Sequence, residues 1–291
     1  MSYEVPAHFV QQYTTNVQLL LQQRGSKLRG HVTEHGFTGK AAKAVEQVGA
    51  VTAVKRTSRH ADTPLIATPA DARWCYPDDY GWADLIDDVD KLKMLIDPQS
   101  SYALNGSYAI GRSMDDAIIA AATGVSKAGE NGTTSKSFLS TQEVAASVGS
   151  TTGMNHAKVR KARELLEKAE VDVDNDPLTI ALSAVQAMEL FGETITGSVD
   201  YVNGRPIVTG KLPMLYGFEF VCIERLAKAS NDRWVLAFAK SGLHLGIWDE
   251  ISTEIDRIPG KWGSHQVMVK GSFGAVRSEE KKIVRILSTE S

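Results

Sequence analysis

One short segment of the sequence has the residue pattern of a zinc site. His31, Glu34 and His35 follow the H-x-x-E-H spacing, in which two histidines on one helix face hold zinc and the glutamate acts as general base. Gly30 and Gly36 bracket these residues, and each glycine costs about 1 kcal/mol relative to alanine in a helix. Because the motif needs a helix and a third ligand that the sequence does not supply, a zinc hydrolase is kept only as a minor alternative.

Two further segments share residue types with ligand sites but not their spacing. Residues 129–137 are similar to a phosphate-binding loop, but Ser135 stands where that loop has glycine, and a helix is predicted before it. A group of carboxylates lacks the spacing of a calcium loop, so we expect a solvated acidic face or salt bridges to a neighbouring subunit. The group consists of Asp84, Asp87, Asp88 and Asp90. No catalytic residue, metal site or cofactor is predicted.

Composition excludes several other classes of protein. The chain has 291 residues, 43% hydrophobic and 23% charged, which is typical of a folded globular protein. Its net charge of -3 argues against a strongly basic nucleic-acid binder. Cys75 and Cys222 lie far apart, which argues against a disulfide scaffold or a cysteine-based metal site. We find no membrane-spanning run and no secretory signal, so we expect a reduced, cytoplasmic protein.

Hydrophobic periodicity predicts an α+β protein. The predicted helices are 6–24, 97–123, 154–170 and 184–191. The predicted strands are 45–56, 72–76, 178–183, 218–224, 266–270 and 282–287, with a short strand at 138–139 and a hairpin at 199–208 around Asn203-Gly204. Residues 30–44 are expected to be irregular. We also expect Gly106 and Gly111 to interrupt the second helix.

The strands 45–56 and 72–76 enclose a polar tip at 57–71. They predict a hairpin of roughly 35 residues, and a two-stranded hairpin has no core of its own. It therefore needs another surface to lie on.

The helix at 154–170 has many basic residues, which we expect to face outward. They are Lys158, Arg160, Lys161, Arg163 and Lys168. A DNA-binding module using this helix is a further alternative, although solvated helix faces often have this composition.

Six stretches, in order along the chain, resemble the major capsid protein family of tailed bacteriophages. They are FVQQY (9–13) leading to LLQQRGSKL (20–28), RTSRHADTP (56–64), LIDP (95–98) followed by Tyr102, GRSMDDAII (111–119) and FGAVR (273–277). The resemblance covers about residues 8–287. The family shares its capsid fold with the herpesvirus capsid floor and with encapsulins.

The resemblance implies a division of the chain. It assigns 1–39 to an N-terminal arm, 40–83 to an extended E-loop, 84–175 to a P-domain with a spine helix at about 97–123, 176–246 to an A-domain, and 247–291 to strands that return to the P-domain. It also implies contacts with neighbouring subunits through Arg56, Arg59, Asp62, Trp74 and Tyr76. Some family members form a Lys–Asn cross-link; Lys55 is the nearest lysine, and without an assignable partner we predict no cross-link.

The implied function is mechanical. Many copies would form pentamers and hexamers that close into an icosahedral shell around double-stranded DNA, with only non-specific DNA contact. We expect a separate scaffolding protein and a portal, leave a decoration protein open, and expect no membrane. The shell would assemble in the host bacterial cytoplasm and end in the virion. An encapsulin-like compartment is the related alternative.

Overall fold

The computed structural model describes residues 22–60, 62–63, 65–86, 99–193, 212–261 and 263–290. Several predictions lie outside these residues, namely helix 6–24 as far as residue 21, the hairpin 199–208, and the helix start at Asp97-Pro98. Residues 22–24 are described and are not helical, so the predicted end of the first helix is wrong. None of the helices in the described ranges is long and apolar enough to cross a membrane.

The described residues contain three α-helices and fourteen strands. The helices are α1 (Gln99–Thr123), α2 (His156–Lys168) and α3 (Ala184–Gly192). The strands are β1 (Thr33–Gly36), β2 (Ala42–Val48), β3 (Ala70–Cys75), β4 (Asp78–Ile86), β5 (Ser126–Ala128), β6 (Thr134–Lys136), β7 (Glu143–Val144), β8 (Leu178–Leu182), β9 (Phe218–Cys222), β10 (Lys228–Ala229), β11 (Asp232–Ala239), β12 (Leu243–Arg257), β13 (His265–Arg277) and β14 (Ile283–Thr289). The α+β prediction is confirmed.

Contacts divide the chain into two units, each built from separated segments. The smaller unit comprises Met1–Ser26, Asp79–Ser113 and Asp249–Ser272. The larger comprises Lys27–Asp78, Met114–Trp248 and Phe273–Ser291. Helix α1 and strands β12 and β13 each contribute residues to both units.

The larger unit contains the main core. Its sheet has the order β7-β14-β11-β8-β9, with β10 paired to β11. All five residues of β8 are buried, as expected for an apolar strand with neighbours on both sides. Helix α2 contributes Val159, Ala162 and Leu166 to the same apolar cluster, which also includes Phe218 and Ile286.

Local capping explains where the two shorter helices begin. The Asn155 side chain accepts a hydrogen bond from the backbone N–H of Lys158, at 2.9 Å, and so caps α2. Ser183 and Gln186 form a capping box at the start of α3. Both helices were predicted within two residues of their bounds.

A second sheet of the larger unit has the order β2-β3-β5-β6. Strands β2 and β3 are antiparallel, with Ala42 opposite Cys75 and Val48 opposite Ala70. The predicted strand 45–56 is wrong beyond Val48. The backbone N–H of Gly49 donates to the Pro69 carbonyl at 2.7 Å, and past this bond no strand is assigned until β3 begins at Ala70.

In the smaller unit, α1 continues through both glycines that the sequence predicted as interruptions. A Cβ on Gly106 would lie 2.5 Å from the Trp82 ring and 2.7 Å from Val269. A Cβ on Gly111 would lie 2.7 Å from the backbone of Gly25. Both glycines are therefore needed for close approach, which explains why they stand inside a helix despite their cost.

Other differences from the prediction concern strands whose partners are distant in sequence. Strand β1 lies in the stretch that was expected to be irregular, and it pairs in parallel with β12. Strand β4 was not predicted. The short strand at 138–139 is wrong, since the strands in that stretch are β5 and β6.

Candidate functional site

The hairpin formed by β2, β3 and residues 49–69 is the candidate functional site; we call it the hairpin arm, with 49–69 as its tip. Every described residue from 48 to 70 is exposed. The exposed side chains include large apolar ones, with Val48 at 75% and Leu65 at 97% exposure. Exposed apolar side chains of this size are a feature of interaction surfaces, so the tip is a candidate contact surface.

The foot of the hairpin arm, by which we mean β2, β3 and the adjoining Tyr76, is fixed by the segment that follows β13. The Arg73 Nε donates to the Ser278 carbonyl at 2.8 Å, and its Nη2 pairs with Glu280 at 3.0 Å. The Gln47 amide donates to the same Ser278 carbonyl at 2.7 Å. Cys75 is fully buried, and burial raises the pKa of its thiol to about 11. The foot is therefore a rigid base for an exposed tip.

Three of the predicted contact residues lie on the tip. Arg56, Arg59 and Asp62 are all exposed. Arg56 donates from Nε to the carbonyl of Ser58 at 2.7 Å, which shapes the local chain without burying the guanidinium. The structure keeps all three side chains available at the surface of the subunit.

The other two predicted contact residues lie at the foot and pack within their own subunit. The Trp74 indole donates to the carbonyl of Gly129 at 2.8 Å, and the ammonium of Lys43 lies 5.6 Å from the ring centroid. A Cβ on Gly132 would lie 2.6 Å from the Tyr76 hydroxyl. Tyr76 nevertheless keeps 45% of its surface exposed.

The structure separates the three residues of the H-x-x-E-H pattern. His31 lies in a 3-10 turn, with its Nδ1 3.3 Å from the Thr179 hydroxyl. Glu34 and His35 are successive residues of β1 and so point to opposite faces. The prediction that these residues do not form a helix is confirmed. Among the described residues, no group of three or more metal-binding side chains is assembled.

The acidic segment falls mostly outside the described residues. Asp84 is described; it is exposed on β4, and its carboxylate accepts the backbone N–H of Leu85 at 2.8 Å. Asp87, Asp88 and Asp90 are not among the described residues.

The basic face of α2 is smaller than predicted, because Lys158 points inward. Its ammonium is fully buried and donates to the carbonyls of Thr152, Gly153 and Leu287 at 2.6, 2.8 and 3.0 Å. Burial lowers the pKa of Lys158 to about 8, although the carboxylates of Glu189 and Asp232 act to raise it. The prediction that Lys158 faces solvent is wrong.

Two buried charged residues that position long segments were not recognised from sequence. The Asp115 carboxylate is fully buried and accepts the backbone N–H groups of Lys27 and Leu28, at 3.0 Å each. Asp115 lies inside α1. The sequence gives no signal for this role, because Asp115 stands beside a second aspartate, Asp116.

The second of these residues is Arg277, which closes the end of α1. Its fully buried guanidinium donates to the carbonyls of Ala122 and Gly124 at 2.9 Å, and to that of Lys136 at 3.1 Å. These carbonyls include acceptors that the helix end leaves unpaired. Asp115 and Arg277 both belong to stretches that carry the family resemblance.

Comparison with known proteins agrees with this architecture. The family model described as phage capsid protein matches residues 5–290, so the chain belongs to that family. Search of the curated proteins finds no match.

Solved phage capsids have the same fold. The capsid of cyanophage P-SCSP1u is 13% identical, with 98% of this chain and 94% of that chain covered and a TM-score of 0.74. The capsid of Ralstonia phage GP4 is 9% identical, with 100% and 98% covered and a TM-score of 0.73. The capsid of cyanophage Pam1 is 12% identical, with 99% of each chain covered and a TM-score of 0.72.

The tailed-phage capsid fold predicted from sequence is thereby confirmed. Family and fold together identify this chain as a phage major capsid protein, a structural component of the virion. Many copies of the chain assemble into the capsid. The encapsulin-like alternative has no better support from these comparisons.

Proposed function

We propose that copies of this chain form pentamers and hexamers, and that these close into an icosahedral shell that encloses double-stranded DNA. The observation that carries this proposal is the hairpin arm, whose tip is exposed along its whole described length while its foot is anchored. Within the subunit β3 pairs with β5, which supports the strands of the arm but leaves every described residue of the tip exposed, so a neighbouring subunit is the natural support of the tip. Head-to-tail contacts of this kind close into rings.

The proposed contact residues follow from their place on the arm. Arg56, Arg59 and Asp62 would contact the neighbouring subunit directly, since each is exposed on the tip. Trp74 and Tyr76 would contribute at the foot, where the exposed part of Tyr76 is available and Trp74 also fixes the adjacent turn through Gly129.

The proposed division of the chain is the one that the family resemblance implies. Residues 1–39 form the N-terminal arm, 40–83 the E-loop and 176–246 the A-domain. The P-domain takes 84–175 and the returning strands 247–291, with α1 as its spine. The continuous course of α1 over 25 residues supports its role as a spine.

The remaining partners follow from the same assembly. We propose a separate scaffolding protein, a portal, and non-specific contact with the packaged DNA, with a decoration protein as an open addition. Assembly would take place in the host bacterial cytoplasm. The chain would act without catalysis, cofactor or Lys–Asn cross-link.

Charge reversal on the tip tests the proposal. Arg59→Glu should give a folded subunit that forms few shells, because a charge reversal at a subunit contact juxtaposes like charges or removes a pair. Electron microscopy would count particles formed with and without the co-expressed scaffold, and circular dichroism would check folding.

Arg160→Glu is the matched control, because it makes the same change at an exposed position of α2. Shells should form normally with this variant. Normal particle yield from Arg59→Glu would contradict the role assigned to the tip, and a wild-type protein that forms no shells with any scaffold would contradict the assembly itself.

A further inference from the structure

Two histidines connect β1 to β12. His35 of β1 and His244 of β12 stack with their ring planes 6° apart and their centroids 5.2 Å apart. The His35 Nε2 lies 3.1 Å from the His244 Nδ1, which is a hydrogen-bond distance. His244 is 9% exposed, so this contact is largely shielded from water.

The surrounding acceptor fixes which nitrogens carry the protons. The His244 Nε2 lies 3.2 Å from the Ser241 carbonyl, which can only accept. His244 must therefore carry its proton on Nε2, and in the neutral ring Nδ1 is then an acceptor. The His35 Nε2 must donate to it.

We propose that His35 and His244 form an acid-sensitive latch that holds β1 on β12 while His244 is neutral and releases β1 when His244 becomes protonated. A proton added to His35 leaves its Nε2–H free to donate, so the contact persists. A proton added to Nδ1 of His244 places two N–H donors against each other at 3.1 Å. The second event destroys the hydrogen bond and makes the contact repulsive.

Strand β1 is sensitive to this contact because it is short and lies at the edge of its sheet. It has four residues and lies at the end of its sheet, paired with β12 alone. Beyond the histidines, β1 is held by its four-residue pairing with β12, by the Thr33 hydroxyl, which donates to the Lys240 carbonyl at 3.1 Å, and by Phe37, whose N–H donates to the Ile247 carbonyl at 2.9 Å. Short strands with few buried contacts open first.

The burial of His244 sets the direction of the pH effect, and the charges around the pair modify it. Burial lowers the pKa of His244 to about 4, and the neighbouring His35 and Lys282 act in the same direction. The Ser241 carbonyl and Asp176 oppose this shift. Because the ordinary pKa of histidine is about 6.5, the stability that neutral His244 contributes is complete above that pH and is lost as the pH falls toward 4.

Protons can reach the pair from solvent. His244 lines a cleft of about 660 Å³ at the foot of the hairpin arm. Asp71, Glu279 and Lys282 are the charged side chains of this cleft. On β1 itself, the Glu34 side chain lies on the face opposite to that of His35 and pairs with Arg29 at 3.1 Å. Its negative charge therefore does not compensate a positive charge on the histidines.

Hydrogen exchange on full-length, unassembled subunits tests the latch. The readout is the protection of the amides of β1 and Phe37 relative to those of β11, after correction for intrinsic exchange, at about pH 7 and about pH 4.5. In the wild-type chain, β1 should lose roughly tenfold or more of its protection in acid while β11 keeps its own. The test concerns one subunit, so it does not depend on the shell assembly proposed above.

His35→Phe is the informative variant, because His244 can then gain a proton without facing the His35 N–H, although it stays buried. The acid loss of β1 protection should therefore be clearly smaller than in the wild type. His60→Phe changes an exposed histidine of the tip and should behave as the wild type.

If His35→Phe does not fold, His244→Gln replaces it, since its amide can still donate to Ser241 without gaining charge; it should remove the pH dependence. Equal protection of wild-type β1 at both pH values would overturn the latch. Acid loss that spreads to β11, that is as large in folded His35→Phe as in the wild type, or that persists in folded His244→Gln, would overturn it as well.

Discussion

The core sheet and the tip of the hairpin arm belong to the same chain but differ completely in how far their residues are buried. All five residues of β8 are buried, whereas every described residue from 48 to 70 is exposed. Leucine shows the contrast most directly, because Leu166 is fully buried in the core and Leu65 is 97% exposed on the tip.

The difference indicates where the stabilising partners of each region lie. The core finds its apolar partners within the subunit, so its packing contributes to the free energy of folding. The tip has apolar side chains that stay largely exposed in the described subunit, so their contribution is available for contacts between subunits. Substitutions should therefore change stability in the first region and assembly in the second.

The largest effect is expected from Leu166→Ala. Removing a fully buried leucine side chain from α2 loses its transfer free energy and leaves a cavity, which together cost about 3 kcal/mol of the free energy of unfolding. Denaturant unfolding of unassembled subunits measures this loss. A loss below about 1 kcal/mol would show that the core repacks easily, and would weaken the contrast with the tip.

Two adjacent aspartates give a smaller effect with an internal control. Asp115→Ala should cost about 2–3 kcal/mol, because two backbone N–H groups, of Lys27 and Leu28, lose their acceptor. Asp116→Ala should cost less than about 1 kcal/mol, since Asp116 is 46% exposed where it pairs with Arg225. Thermal unfolding of both variants tests this order. Equal losses would mean that burial of Asp115 does not strengthen its contacts.

Helices were the part of the fold that the sequence predicted best, because their signals are local. Predicted 154–170 and 184–191 became His156–Lys168 and Ala184–Gly192, with caps at Asn155 and Ser183. The continuity of α1 was predicted less well, since the contacts that need Gly106 and Gly111 involve Trp82 and Gly25.

Strand bounds and buried charges depend on residues that are distant in sequence. Strand β1 forms by pairing with β12, which lies more than two hundred positions further along the chain. Its own residues therefore do not predict it. Lys158 had the pattern of a solvated residue, but one of its three carbonyl partners is Leu287. In the candidate site, the exposure of Arg56, Arg59 and Asp62 followed from local polarity, whereas the packing of Trp74 on Gly129 did not.

The smallest effect on the subunit, and the sharpest test of the comparison, is expected from Leu65→Ala. This is the same substitution as Leu166→Ala, made on a side chain that is 97% exposed, so the free energy of unfolding should change by less than about 0.5 kcal/mol. Shell yield should nevertheless fall, because the apolar surface that Leu65 offers to a neighbour is removed. Denaturant unfolding and particle counts by electron microscopy on the same preparation separate the two effects. Unchanged stability together with unchanged assembly would show that Leu65 is not part of the contact.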